Sequence, residues 1–203
     1  MIINIKIISL FSQLVAGLFP LAVLFYKSLK FNLEFLLYLL SSILATFGFI
    51  YTSIYKLNNS WIFDCFQVCT IFFLTIFYYR LININLCRVI FLILGLLSLT
   101  SFIYELKTQG YTNWSLTILN VNFIICPIIY LIFSISKSNS EQSKSLEIIN
   151  FSILIYYSTV FILFYFLEII FKNNVWYVHN IVESASKLLI AYAFWKLPKT
   201  SLF

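Results

Sequence analysis

Seven continuous apolar stretches, each about 20 residues long and joined by linkers too short to fold alone, leave this chain few structures to adopt. They lie near 8–26, 33–55, 61–79, 88–104, 114–135, 148–171 and 176–195. At about 1.5 Å per residue, such a stretch as a helix covers the roughly 30 Å of bilayer hydrocarbon. In hydrocarbon only a helix or a closed barrel satisfies every backbone N–H and C=O. Barrel strands alternate apolar and polar residues over about ten positions, whereas these runs are unbroken, so the pattern predicts helices. Composition points the same way: 62% of 203 residues are hydrophobic and 10% charged, too little polar surface to cover a water-soluble globule. The expected fold class is all-α, a polytopic integral membrane protein whose residues 1–203 form a single bundle of seven transmembrane helices.

The opening run from Ile7 to Tyr26 lacks a small-residue cleavage site and reads as a retained span, not a removed leader. Pro20 and Pro127 fall inside the first and fifth spans, where neighbouring helices can satisfy the freed backbone groups. No internal repeat points to an inverted-repeat transporter, and with no GxxxG, packing falls to Ser, Thr and aromatic contacts.

Thirteen Lys and Arg stand against seven Asp and Glu. They are spread at the ends of the apolar stretches rather than clustered with aromatics, so they predict topology and no direct nucleic-acid partner. Alternate linkers carry Lys27, Lys30, Arg80, Arg88, Lys137, Lys144, Lys196 and Lys199 on one side, and Lys6, Lys56, Lys107 and Lys172 on the other. By the positive-inside rule the richer side is cytoplasmic, which puts the N-terminus outside and the C-terminus inside a bacterial inner membrane. Trp61, Trp114 and Trp176 open spans on the outer face, and Trp195 closes the seventh. Cys65, Cys69, Cys87 and Cys126 have no metal-ligand spacing and read as small hydrophobes, so no metal is expected.

The seventh stretch breaks the apolar pattern. His179, Glu183 and Lys187 recur at i, i+4 and i+8, flanked by Asn180, Ser184 and Ser186, so one helix face is polar over half its length. Lys187 falls about 16 Å along the helix from Trp176, near the bilayer midplane, where an ammonium must face the bundle interior and find a partner. Glu183, one turn earlier, is that partner; a pair that only fixes helix register and a pair with a functional role both fit the spacing. Asp64 and Gln67 in the third span, Asn120 and Asn122 in the fifth and Glu168 ending the sixth could share the pocket. Asp64 and Glu168 could equally reach interfacial water, and the two asparagines could equally join helices. The expected intramembrane cluster is Asp64, Glu168, His179, Asn180, Glu183, Ser184 and Lys187, and the expected cytoplasmic docking residues are Arg80, Arg88, Lys137 and Lys144.

Enzymatic readings find no support in this pattern. A single His supplies too few ligands for a catalytic zinc, and no nucleophile turn accompanies it for a serine protease. A Lys in a seventh helix with a carboxylate one turn before it is similar to the retinal-attachment helix of microbial rhodopsins. That resemblance implies retinal as cofactor, with Lys187 as the Schiff base and Glu183 as counter-ion. The third span has no Arg beside Trp61 and Asp64, and the sixth lacks the Trp and Pro of that family's pocket.

A wider resemblance rests on Asn58 to Phe63, Phe77 to Tyr79, Leu154 to Ser158, Asn174 to His179 and the ending Ala191 to Lys196. These phrases look like a group of small seven-span membrane proteins of Bacteroidota. In that group an acidic residue stands where this chain has Thr70, and Asn occupies the seventh span in place of Glu183 and Lys187, so no activity is carried over. In size and hydrophobicity, though in no motif, the chain is also similar to the small membrane accessory proteins encoded beside the RNA-guided RNA nuclease of type VI-B CRISPR loci. The expectation is a non-enzymatic inner-membrane accessory or regulatory protein, with a role in CRISPR-type antiviral defence or signalling. Its partners would be the bilayer, a cytoplasmic effector or nuclease, and further copies of itself in a gated assembly. An ion channel or transporter built on the polar cluster is the other non-enzymatic reading.

Overall fold

A computed structural model describes residues 2–27, 31–108, 114–134, 141–163 and 175–198. Among them are seven α-helices and no strand: α1 (Ile2–Lys27), α2 (Leu33–Tyr55), α3 (Ser60–Leu81), α4 (Asn85–Thr108), α5 (Trp114–Ser134), α6 (Glu141–Ile162) and α7 (Val175–Lys196). Helix α2 coincides with the expected 33–55. Helix α6 starts at Glu141 rather than 148, because Glu141, Gln142 and Lys144 are good helix formers that extend an apolar run back into a polar linker. The expected continuation of the sixth stretch to 171 lies outside the described residues.

Six helices are long and apolar enough to cross a membrane. The seventh, α7, has 22 residues but is interrupted by its polar stripe. That stripe is turned inward: Asn180, Glu183, Ser186 and Lys187 are buried, while Ile181, Leu188, Leu189, Tyr192 and Trp195 face out. Its outer surface is therefore as apolar as that of its neighbours, and the whole perimeter, with Leu44, Phe47, Phe72 and Leu96 exposed, suits lipid rather than water.

Each helix packs on the next in sequence, and α7 closes the ring against α1. Seven alternating helices bring the first and last together in parallel. Asn180 Nδ2 near the start of α7 donates to Ser9 Oγ near the start of α1 at 2.9 Å, and Lys27 Nζ at the end of α1 donates to the Trp195 carbonyl at 2.6 Å. Local chemistry sets the turns. Asn32 caps α2 by accepting from the Glu34 and Phe35 amides at 3.0 and 3.3 Å, and Lys56 ends α2 in the left-handed conformation. Gly95 lets α4 approach α3 so closely that a Cβ there would lie 2.6 Å from Thr75 Cγ2.

The two ends of the ring are filled differently. At the end where α1 finishes, Phe35, Phe77, Tyr78, Phe91 and Phe194 are fully buried, with ring centres 4.8 Å apart for Phe35 and Phe77 and 5.7 Å for Tyr78 and Phe91. At the other end the ring encloses a cavity.

Candidate functional site: a polar cavity open at one end

The cavity has a volume of about 450 Å³ and is lined from α1, α2, α3, α5, α6 and α7. The wall residues come from the first half of α1, α3, α5 and α7 and from the second half of α2 and α6, which is one half of an alternating bundle. Exposed Lys6 with half-buried Asn59 and Ser60 marks the mouth, and Glu183 lies towards the floor. Beyond the floor stands the aromatic packing of the other half.

Glu183 joins three helices through its carboxylate. Its Oε1 lies 2.6 Å from Lys187 Nζ on α7 and accepts from Ser42 Oγ on α2 at 2.9 Å. Its Oε2 accepts from Gln13 Nε2 on α1. At 2.6 Å the Lys187 ammonium and the Glu183 carboxylate form a close ion pair within one helix. Both side chains are almost fully buried, at 6% and 4% exposure. Gly17 provides the room: a Cβ there would lie 3.4 Å from Lys187 Nζ. The spacing at i and i+4 lets the pair form within one helix, and the α1 and α2 donors satisfy the remaining carboxylate lone pairs, as a buried charge requires.

A second chain of polar contacts runs above it. His179 Nδ1 faces Asn180 Oδ1 at 3.4 Å and Nε2 faces the Tyr156 hydroxyl at 3.1 Å. Since the Asn oxygen only accepts, the proton belongs on Nδ1, and Nε2 accepts from Tyr156. His179 Nδ1 is also 3.9 Å from Glu183 Oε2, so the imidazole and carboxylate share one face of α7. Ser184 donates to the Asn180 carbonyl at 2.7 Å, and Ser186 meets Ser152 of α6 with their hydroxyls 2.8 Å apart.

Of the expected cluster, His179, Asn180 and Glu183 line the cavity, and Lys187 lies behind Glu183 rather than in the wall. Asp64 is not in the wall; it is half-exposed near the start of α3, in electrostatic range of Glu105 on α4. One turn of α3 separates it from Gln67, which does line the cavity. Glu168 and Lys137 lie outside the described residues. Asn122 joins helices, donating to Ser98 Oγ at 3.2 Å, whereas Asn120 faces the cavity. Among the expected docking cations, Lys144 is exposed and Arg80 pairs with Glu34. Arg88 is bound into the α3–α4 turn through the Tyr79 and Ile82 carbonyls at 3.2 and 2.9 Å.

Gln13, Ser42 and Tyr156 are site residues that the sequence pattern did not single out. Gln13 carried a usable signal, being an amide alone within the apolar core of α1, where a polar side chain is expected to turn inward. A serine among serines and a tyrosine among fourteen carried none. Among the described residues no group of His, Cys, Asp and Glu could hold a metal ion. No protein-family model, curated protein or solved structure matches this chain.

Proposed function

We propose that the chain is a seven-span, non-enzymatic protein of the bacterial inner membrane, an accessory or regulatory component that receives a solute in its cavity and registers it through Glu183 and Lys187. The observation that carries this reading is the position of an almost fully buried ion pair whose carboxylate residue, Glu183, lines a cavity with exposed Lys6 at its rim. A pair that served only helix register needs no approach from solvent, whereas a switch does. Occupancy or water entry at Glu183 competes with Gln13 and Ser42, which tie α7 to α1 and α2, so a change at the floor changes how three helices are held.

Orientation follows from the cations. Lys27, Arg80, Arg88, Lys144 and Lys196 gather at the closed end, against Lys6, Lys56 and Lys107 at the cavity end, which favours a cytoplasmic closed end and a C-terminus inside. The closed end would then present Arg80 and Lys144 to a cytoplasmic effector, the place where a partner nuclease or signalling protein would read the switch. A transporter is the second reading, favoured by the one-ended cavity, which is what one state of an alternating-access protein displays. Retinal attachment is less well served, because Lys187 Nζ stands behind Glu183 against Gly17 and not in the cavity wall. Addition of retinal should therefore yield no visible absorption band.

The test is thiol labelling of Ser53→Cys, a half-buried wall position on α2, in a chain whose native cysteines are serine. A membrane-impermeant maleimide should label it from the outer face of right-side-out cells, and Lys187→Met should change the labelling rate. Absence of labelling from either face would end the receptor reading.

A further inference from the structure

His179 is the only histidine in the chain, and the fold places it in the cavity wall with its side chain 14% exposed. Its two nitrogens face groups of different capacity. Nδ1 faces Asn180 Oδ1 at 3.4 Å and lies 3.9 Å from Glu183 Oε2, two atoms that only accept. Nε2 faces the Tyr156 hydroxyl at 3.1 Å, a group that can donate or accept. The neutral ring can therefore take a proton at Nε2 without setting two donors against each other. The Tyr156 hydroxyl turns from donating to accepting, and Nδ1 keeps the proton it has.

The surroundings single out the imidazole as the group that changes charge. Helix α7 packs on α1 and α6, and α2, α3 and α5 complete the cavity wall. Among the described residues, the charged or titratable groups that face His179 or its neighbouring carboxylate are Lys6 of α1 at the rim, Tyr38 of α2, Tyr156 and Tyr157 of α6, and Glu183 and Lys187 of α7. The wall residues of α3 and α5 carry no charge. In water, phenols and ammonium groups ionise near about pH 10, and Glu183 already has a partner on each oxygen. An imidazole is the side chain whose ordinary titration lies between about pH 5 and 8.

A proton on His179 acts beyond the ring. Glu183 would then stand between two cations, with Lys187 Nζ 2.6 Å from Oε1 and the imidazolium Nδ1 3.9 Å from Oε2. Oε2 is also the oxygen that accepts from Gln13, the link from α7 to α1. An imidazolium attracts a carboxylate oxygen more strongly than a neutral amide does, so the two compete for it.

We propose that His179 is a proton-binding site fed from the cavity, and that its protonation loosens the Gln13–Glu183 tie between α1 and α7. The proton comes from water in the cavity, forms the Nε2–H bond, and returns to water when the medium turns alkaline. This rests on the reading that the cavity receives a solute, and goes beyond it by making that solute the proton.

A single histidine makes the site directly visible by nuclear magnetic resonance. The full-length chain, carrying isotope-labelled histidine and purified through a tag that contains none, should show in nanodiscs one imidazole signal that passes from neutral to cationic between about pH 8 and pH 5. The coupling is read from the maleimide rate at Ser53→Cys in the chain whose native cysteines are serine. At each pH that rate is divided by the rate in the same chain carrying His179→Gln, which cancels the titration of the thiol itself; His179→Phe replaces it if the glutamine chain does not fold. The ratio should change about fivefold over the same pH range, the low end of a coupling between two sites. With Gln13→Leu in both chains the histidine should still titrate while the ratio stays flat, a result that a merely structural histidine would not give. An imidazole that stays neutral throughout, or one that titrates while the ratio stays flat with Gln13 present, would overturn the proposal and leave the receptor reading standing. Absence of labelling at every pH and from either face would remove the receptor reading, and the cavity route for the proton with it.

Discussion

The two halves of this bundle are built from the same seven helices, yet one is packed shut and the other is hollow. In the closed half Phe35, Phe77 and Phe194 interlock, with ring centres 4.8 Å apart for Phe35 and Phe77 and 6.2 Å for Phe35 and Phe194. In the open half the inward positions are taken by Gln13, Ser42, Thr70, Asn120, Asn180 and Glu183, whose short or branched polar side chains leave the axis empty. Seven helices in a ring enclose more space than backbone alone can fill, so the size of the inward side chains decides which half closes. Lipid cannot tell the halves apart, because both present an apolar perimeter. The difference teaches that inward side chains set the packing of each half: polar residues beside Phe49, Phe63 and Phe66 leave the open half hollow, and the interlocked rings of Phe35, Phe77 and Phe194 fill the closed one.

The sharpest break of this comparison is a pair of substitutions, one in each half. Phe194→Ala removes a fully buried ring and Glu183→Leu leaves the Lys187 ammonium unpaired; each should cost about 3–5 kcal/mol of stability. Their rescue should differ. Adding Lys187→Met should restore most of the stability lost in Glu183→Leu and none of that lost in Phe194→Ala, measured by denaturation in mixed micelles. If Lys187→Met fails to rescue, the carboxylate contributes through Gln13 and Ser42 more than through the ion pair.

A smaller effect is expected between the halves. Gly95→Ala places a methyl 2.6 Å from Thr75 Cγ2, and overpacking of the α3–α4 contact should cost about 1–3 kcal/mol by the same assay. The smallest belongs to the open half. Thr70→Val exchanges an unpartnered buried hydroxyl for a methyl of the same shape, and the stability of the unliganded protein should change by less than about 1 kcal/mol or rise. A large loss there would mean that Thr70 is bonded in the folded protein and that the open half is packed more like the closed one.

Most of the helices were legible because membrane spans announce themselves locally. The run from Leu33 to Tyr55 is apolar from end to end, and the helix found there has the same limits. Helix α7 was legible for the opposite reason: His179, Glu183 and Lys187 recur at helical spacing within an apolar frame, which marks an inward stripe and predicts the pair that forms. Asp64 misled because its type and depth matched the cluster while its position around α3 did not. Helical rotation is not resolved by the near-uniform hydrophobicity of that helix, and Gln67, one turn away, takes the inward place. Gln13 and Ser42 were passed over because neither carries a charge, and their importance comes from the helix each happens to face.

By itself the sequence determined that this chain forms membrane-length helices, that α7 carries a polar stripe, and that Lys187 pairs with Glu183, since all three follow from spacing along one helix. Only the tertiary structure decided that α1 and α7 meet in parallel, that Gln13 and Ser42 complete the Glu183 site, and that Thr70 and Asn120 are left facing an open cavity. These depend on how helices distant in sequence are rotated about their own axes, and that rotation is settled by how side chains on several helices fill a common space.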